Sequence, residues 1–255
     1  LITERTSAIL AVHVYGHPCD TTEIGKVAKR NNLKVIYDAA HAFGVNVGGK
    51  SIAEFGDVSA FSFHATKLFH SVEGGMLYTA DSQLMRDFQL QRNFGIENEV
   101  LVSQVGGNAK MNEFQAAMGL LILKKIDALI QERAEIYERY ERALEDIPGI
   151  KFCGPPQMER LRYNYAYLPI RLLPSFGISR DTLYEQLKIK GIYTRRYFYP
   201  LTNAFECYSS RFDPSLTPVA QEVAEEILAL PIYNGLSFEE VDYICNNIRQ
   251  APSGR

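Results

Sequence analysis

Four residue types that can do covalent and proton chemistry stand at the ends of apolar runs. In "SFHATKLFHSVEGG", Lys67 sits between an apolar run and a Glu-Gly-Gly turn. A lysine there can be a solvated strand-end charge, a phosphate clamp, or an amine that forms a Schiff base with a carbonyl. In "VIYDAAHAFG", Asp38 closes another apolar run and His41 follows three residues later. Ser62 precedes Lys67 by five residues. Amine, carboxylate and hydroxyl at successive strand ends form the set that pyridoxal phosphate requires. The aldehyde needs an amine, the pyridine nitrogen needs a carboxylate to keep its proton, and the phosphate needs hydroxyl donors. Each residue also has a plainer reading. Asp38 can cap a turn, His41 can be a packed or capping histidine, Ser62 can be a satisfied core hydroxyl, and Gly74-Gly75 can be turn geometry alone.

The elements that must position these residues follow from periodicity. "SAILAVHVYG" (Ser7–Gly16) reads as a buried strand and "DTTEIGKVAKRNN" (Asp20–Asn32) as a capped amphipathic helix. "LKVIYD" (Leu33–Asp38) is a second strand, which makes a βαβ unit and hence a parallel sheet. Ligands of such sheets gather at the carboxyl ends of the strands, where Asp38 falls. "DVSAFSF" and "GGMLYTA" are two further strands, Asp81–Phe94 is an amphipathic helix, and "GIENEVLVSQVGGNAKM" is a polar loop. One long helix runs from Asn112 to Ile147 and stops at Pro148-Gly149.

Composition shifts at "GIKFCGPPQMERLRYN", which sets a domain boundary: residues 1–150 as the large domain and 151–255 as a small α+β domain. Beyond it the pattern gives a strand at Tyr163–Leu172, a helix at Arg180–Lys190 and a short strand at Ile192–Arg196. Two more helices follow, Pro218–Leu230 and Phe238–Arg249, the second capped by Ser237 and Glu240.

The bulk numbers exclude several classes. The 255 residues carry a net charge of −3, so no basic surface suggests nucleic acid. No apolar run is long enough to span a bilayer. The 4 cysteines are scattered, without a Cys-x-x-Cys pair, which argues against zinc and against a disulfide framework and fits a reducing cytoplasm.

"VIYDAAHAFG", "SFHATKLFHSVEGG", "GGNAKMNEFQAAMG" and "RRYFYPL" together resemble the DegT/DnrJ/EryC1/StrS sugar aminotransferases. The resemblance implies an α/β fold of the pyridoxal-phosphate fold-type I class, with a mainly parallel sheet, helices on both faces and a smaller C-terminal α+β domain. It implies Lys67 as the Schiff-base lysine, Asp38 as the partner of the pyridine nitrogen, His41 beside the ring and Ser62 on the phosphate. It implies that Asn108 reaches the phosphate in a neighbouring subunit of a homodimer, although many members have arginine where this chain has Lys110. "TRRYFYPL" is similar to a sugar-nucleotide contact region, with Arg195, Arg196, Tyr197 and Tyr199 as the contacts; they can equally be surface residues.

The implied reaction moves an amino group from L-glutamate to a nucleotide-linked keto sugar, of the dTDP-4-keto-6-deoxyhexose type, in deoxyaminosugar and surface-polysaccharide synthesis. Related dehydratases carry histidine where Lys67 stands, which favours transamination. The rival readings are another pyridoxal-phosphate sugar enzyme, a dehydratase or lyase, and a non-catalytic paralogue. Members of the family have a further stretch before "SAILAVHVYG", so the expectation is that this chain is a fragment of a longer protein.

Overall fold

The computed structural model describes residues 1–253. They form two compact units: Leu1–Ile130 with Pro156–Ala166, and Gln131–Pro155 with Tyr167 onward. One junction between the units falls inside a helix, and a short later segment belongs to the first unit.

The first unit is built on a four-stranded sheet. Its elements are β1 (Ala8–Val12), α1 (Thr21–Arg30), β2 (Lys34–Asp38), a small hairpin of β3 (Asn46–Val47) and β4 (Lys50–Ser51), β5 (Val58–Ser62), β6 (Gly75–Tyr78) and α2 (Ser82–Arg92). The strand order is β1-β2-β5-β6, the first three parallel and β6 antiparallel to β5. Asp20 starts α1 by accepting the Glu23 N–H at 2.9 Å. The helix then lays Ile24 and Ala28 against Val35 and Tyr37 of β2, the apolar stripe that its periodicity implied. In β2 and β5 buried and half-buried residues alternate, so Val35, Tyr37, Ser59 and Phe61 face inward.

The loop after α2 is not irregular throughout. It folds into a second hairpin, β7 (Ile96–Asn98) and β8 (Leu101–Val102), where only polar loop was expected. The long helix is in fact two: α3 (Glu113–Leu123) and α4 (Ile126–Leu144). Between them Lys125 N–H bonds to Ile122 C=O, a tightened three-residue turn. Lysine is a good helix former, so no sequence signal marks that break.

The second unit holds β9 (Ile150–Phe152), β10 (Leu168–Leu172), α5 (Arg180–Ile189), α6 (Pro218–Glu226), β11 (Ile227–Leu230) and α7 (Phe238–Gln250). Its sheet is antiparallel in the order β11-β10-β9. The helix expected through Leu230 stops at Glu226, and Ile227–Leu230 becomes β11. Leucine and alanine favour helix, yet all four residues are buried and pair with β10, so tertiary pairing overrides propensity. The strand expected from Tyr163 begins only at Leu168, and the one expected at Ile192–Arg196 shrinks to a single bridge between Arg195 and Ala229.

The Ser237–Glu240 capping box forms in full and starts α7, which buries Val241, Ile244, Cys245 and Ile248 at helical spacing. Arg139 of α4 grips Asp242 of α7 through two bonds, at 2.8 and 2.6 Å.

Candidate active site

Asp38 is the last residue of β2, and its Oδ1 accepts the Ala40 N–H at 3.0 Å. The chain then turns through His41 into Phe43. Lys67 lies beyond the end of the neighbouring parallel strand β5, on a turn closed by Lys67 N–H to His64 C=O at 2.9 Å. The loop that carries it is pinned back onto β5 by Phe63 N–H to Gly74 C=O and Ser71 N–H to Phe63 C=O. Gly74 is required there: its φ is +146°, and an added Cβ would lie 2.7 Å from Ser71 Oγ.

An aromatic cluster holds the two loops together. Phe43 stacks on Phe69 with centroids 4.1 Å apart, and it meets Phe61 and Phe63 edge to face. Phe63 meets Phe69 in the same way, at 4.7 Å. Phe43 stands two residues after His41 and Phe69 two residues after Lys67. The cluster therefore holds both loops by apolar packing.

The electrostatics tie three of the expected residues into one site. Burial pushes the half-buried Lys67 amine below its ordinary value, against the opposing pull of the Asp38 carboxylate. Burial and the Lys67 charge hold His41 down to about 4, again with Asp38 opposing. Lys67, Asp38 and His41 thus feel one another. Ser62 ends β5 half-buried, and its Oγ accepts the His64 N–H at 3.4 Å. Asn108 lies exposed in the loop before α3, bridged through its backbone to Asn93.

The remaining expected residues belong to the second unit. Arg195 is exposed, with its backbone paired to Ala229. Arg196 is already engaged: it bonds Asp181 at 2.8 Å and lies 4.4 Å over the Tyr184 ring. Tyr197 stacks on Phe198 and meets Tyr167 edge to face, while the buried Arg180 lies 4.7 Å from the Tyr199 ring.

Four residues of the site were not foreseen. His13, at the end of β1, is fully buried, stacks on Tyr37 and accepts the Cys19 N–H on Nδ1 at 3.0 Å. Burial holds it at about 4 although the Asp38 charge opposes this. Tyr15 donates its N–H to His41 Nδ1 at 3.0 Å. Tyr163 and Asn164 arrive from the returning segment 156–166 and bond Tyr15 C=O and His41 C=O. A histidine inside the apolar run "AVHVYG" was the one available signal.

The two depressed histidines carry a stability prediction. The folded state keeps both rings neutral, while an unfolded chain protonates them near 6.5. The unfolded chain therefore binds more protons between pH 6.5 and 4, and stability falls as pH drops through that window. A shift of this size corresponds to up to about 3 kcal/mol per histidine. Urea unfolding at neutral pH and near pH 4.5 should show the loss, and His13→Gln should shrink it. A midpoint that does not move with pH contradicts the expectation.

The donor set suits pyridoxal phosphate. A half-buried amine of lowered proton affinity, a carboxylate fixed at a strand end, a hydroxyl and a neutral imidazole are what its aldehyde, ring nitrogen, phosphate and ring edge call for.

The fold and this site define the class of the pyridoxal-phosphate fold-type I sugar aminotransferases. The architecture matches the crystal structure of DesI in the presence of its TDP-sugar product, with a TM-score of 0.91, 33% identity, and coverage of 100% of this chain and 64% of that one. It also matches Helicobacter pylori PseC, an aminotransferase of pseudaminic acid biosynthesis, with a TM-score of 0.92, 28% identity, and coverage of 100% and 69%. The model of the DegT/DnrJ/EryC1/StrS aminotransferase family matches residues 1–249, and the chain belongs to that family.

Among its relatives are two dTDP-4-amino-4,6-dideoxy-D-glucose transaminases. That of Shigella dysenteriae is 40% identical over 249 residues, covering 98% of this chain and 67% of the relative. That of Escherichia coli is 41% identical over 243 residues, covering 94% and 65%. The chain thus spans about two thirds of the length of the relatives it matches.

Proposed function

We propose that this chain carries the lysine-bearing part of a pyridoxal-phosphate-dependent aminotransferase. In this reading it moves an amino group from L-glutamate to C4 of a dTDP-linked 4-keto-6-deoxyhexose. The observation that carries the reading is the placement of Asp38 at the end of β2 and of Lys67 on the turn beyond the adjacent parallel strand β5. The identity of about 40% to two dTDP-sugar transaminases supports the substrate class.

Lys67 would bind the cofactor's aldehyde carbon, Asp38 its ring nitrogen, Ser62 its phosphate, and His41 would lie at its ring edge. When bound, the cofactor supplies an electron sink for the pair left behind when a proton leaves carbon. Asp38 keeps the proton on the ring nitrogen, because an anionic carboxylate favours a neighbouring cation. Lys67 would hold the cofactor and, as a free amine, would take and later give back the proton of the amino donor's α-carbon. Its lowered proton affinity leaves more of it as the free base that this task needs. Arg195 is the exposed cation for a sugar-linked diphosphate, and Tyr197 and Tyr199 are flat surfaces for the base. Arg196 helps to order that segment through its grip on Asp181.

The helix α3 exposes Phe114, Leu120, Leu121 and Leu123. Exposed apolar surface of that kind supports a homodimer, with Asn108 serving the partner's site. Among the described residues no helix is long and apolar enough to cross a membrane. A cytoplasmic enzyme serving surface-polysaccharide synthesis accords with the nucleotide-sugar substrate.

Two half-reactions at one lysine require ping-pong kinetics. Initial rates against glutamate at several fixed keto-sugar concentrations should give parallel double-reciprocal lines. Converging lines would contradict the two-half-reaction scheme, and release of water without amino transfer would replace transamination with the dehydratase reading.

A further inference from the structure

We propose that Tyr15, Tyr163 and Asn164 are positioning residues that hold His41 as a neutral imidazole with its proton on Nε2, a fixed donor beside Lys67 and Asp38. The functional meaning rests on the reading above; the geometry and its test do not.

The tautomer follows from one bond. Tyr15 N–H donates to His41 Nδ1 at 3.0 Å, so that nitrogen holds a lone pair and the ring's proton belongs on Nε2. A proton on Nδ1 would set two N–H groups against each other. Tyr15 makes this bond from the left-handed region, with φ of +59°, which is costly for a bulky residue. Its other backbone group is tied as well, since Tyr163 donates its hydroxyl to Tyr15 C=O at 2.9 Å.

The His41 backbone is clamped from the same side. Asn164, almost wholly buried, donates its amide to His41 C=O at 2.8 Å and to Phe43 C=O at 2.9 Å. Gly16 makes room for this, because a Cβ there would lie 2.7 Å from Asn164 Oδ1 and 3.0 Å from His41 C=O. Tyr163 and Asn164 reach this place because the preceding residue, Arg162, bridges to Asn46 through both backbone groups and pairs with Asp127.

The charges facing the ring are Lys67, which opposes an imidazolium, and Asp38, which favours one; burial outweighs both and keeps the ring neutral. An imidazole locked this way offers a donor, while its lone pair on Nδ1 is taken up by the Tyr15 N–H. Proton transfer then stays with Lys67, because His41 cannot compete for the proton.

The test reads the ring directly. In protein labelled with 15N-histidine, two-bond proton–nitrogen correlations report which nitrogen is protonated, and the His41 signals are the set lost in His41→Gln. The expected result is the Nε2-protonated pattern from about pH 8 down to about pH 5, with no titration near 6.5. In Tyr163→Phe and in Asn164→Ala the pattern should move to a mixture of tautomers and the titration should rise towards 6.5. A protonated Nδ1, or ordinary titration in the native chain, overturns the proposal. So does an unchanged His41 in both variants. If Asn164→Ala does not fold, Tyr163→Phe, which loses a single hydroxyl, decides alone. Failure to trap the cofactor on Lys67 while His41 keeps its tautomer would sink the functional reading and leave this one standing.

Discussion

Lys67→Arg abolishes amino transfer, with a loss of at least about 10²–10⁴-fold, the usual contribution of a positioned proton-transfer group. A guanidinium stays protonated at any working pH, so it can neither bond an aldehyde carbon nor take a proton. The fold should tolerate the change. The aromatic cluster of Phe43, Phe63 and Phe69 carries the positioning of that loop. The expected outcome is lost turnover with an unfolding midpoint within about 1 kcal/mol of the native protein, the range of substitutions that leave a core intact. Retained turnover would remove Lys67 from the chemistry.

Asp38→Asn lowers turnover by about 10²–10³-fold, the scale of losing one preorganised charge partner in a desolvated site. The substitution keeps an oxygen to accept the Ala40 N–H, so the turn after β2 survives. What it removes is the negative charge. Two consequences follow with definite signs. The ring nitrogen of the cofactor loses the group that keeps it protonated. Lys67 also loses a carboxylate charge that raises its proton affinity, so its pKa falls further. The acid limb of the pH–rate profile should therefore move to lower pH in the variant, while the plateau drops. A limb that moves upward, or a plateau within a factor of two, would mean that Asp38 is a turn cap and nothing more.

The legibility of this protein divides along a physical line. Asp38, Ser62 and Lys67 stood out as candidates because carboxylate, hydroxyl and amine fall near strand ends, where a parallel sheet gathers ligands. The Ser237 capping box and the stripe on α1 could be read because their signals are local. β11 was misread because Ile-Leu-Ala-Leu satisfies helix and buried strand alike, and only its pairing with β10 decides. The break between α3 and α4 carries neither glycine nor proline. The clamp on His41 was out of reach for another reason. Tyr163 bonds a carbonyl 148 positions away, and Asn164 one 123 positions away. No periodicity in "RLRYNYAY" foretells that the segment returns to the first unit.

The most direct test of the central claim is reductive trapping. The purified protein is incubated with pyridoxal phosphate, reduced with borohydride, digested and mapped by mass. The account predicts one modified peptide, "LFHSVEGG" joined to its preceding Lys67, and its disappearance in Lys67→Arg. Equal labelling of exposed lysines such as Lys26 and Lys110, with none on Lys67, would contradict it.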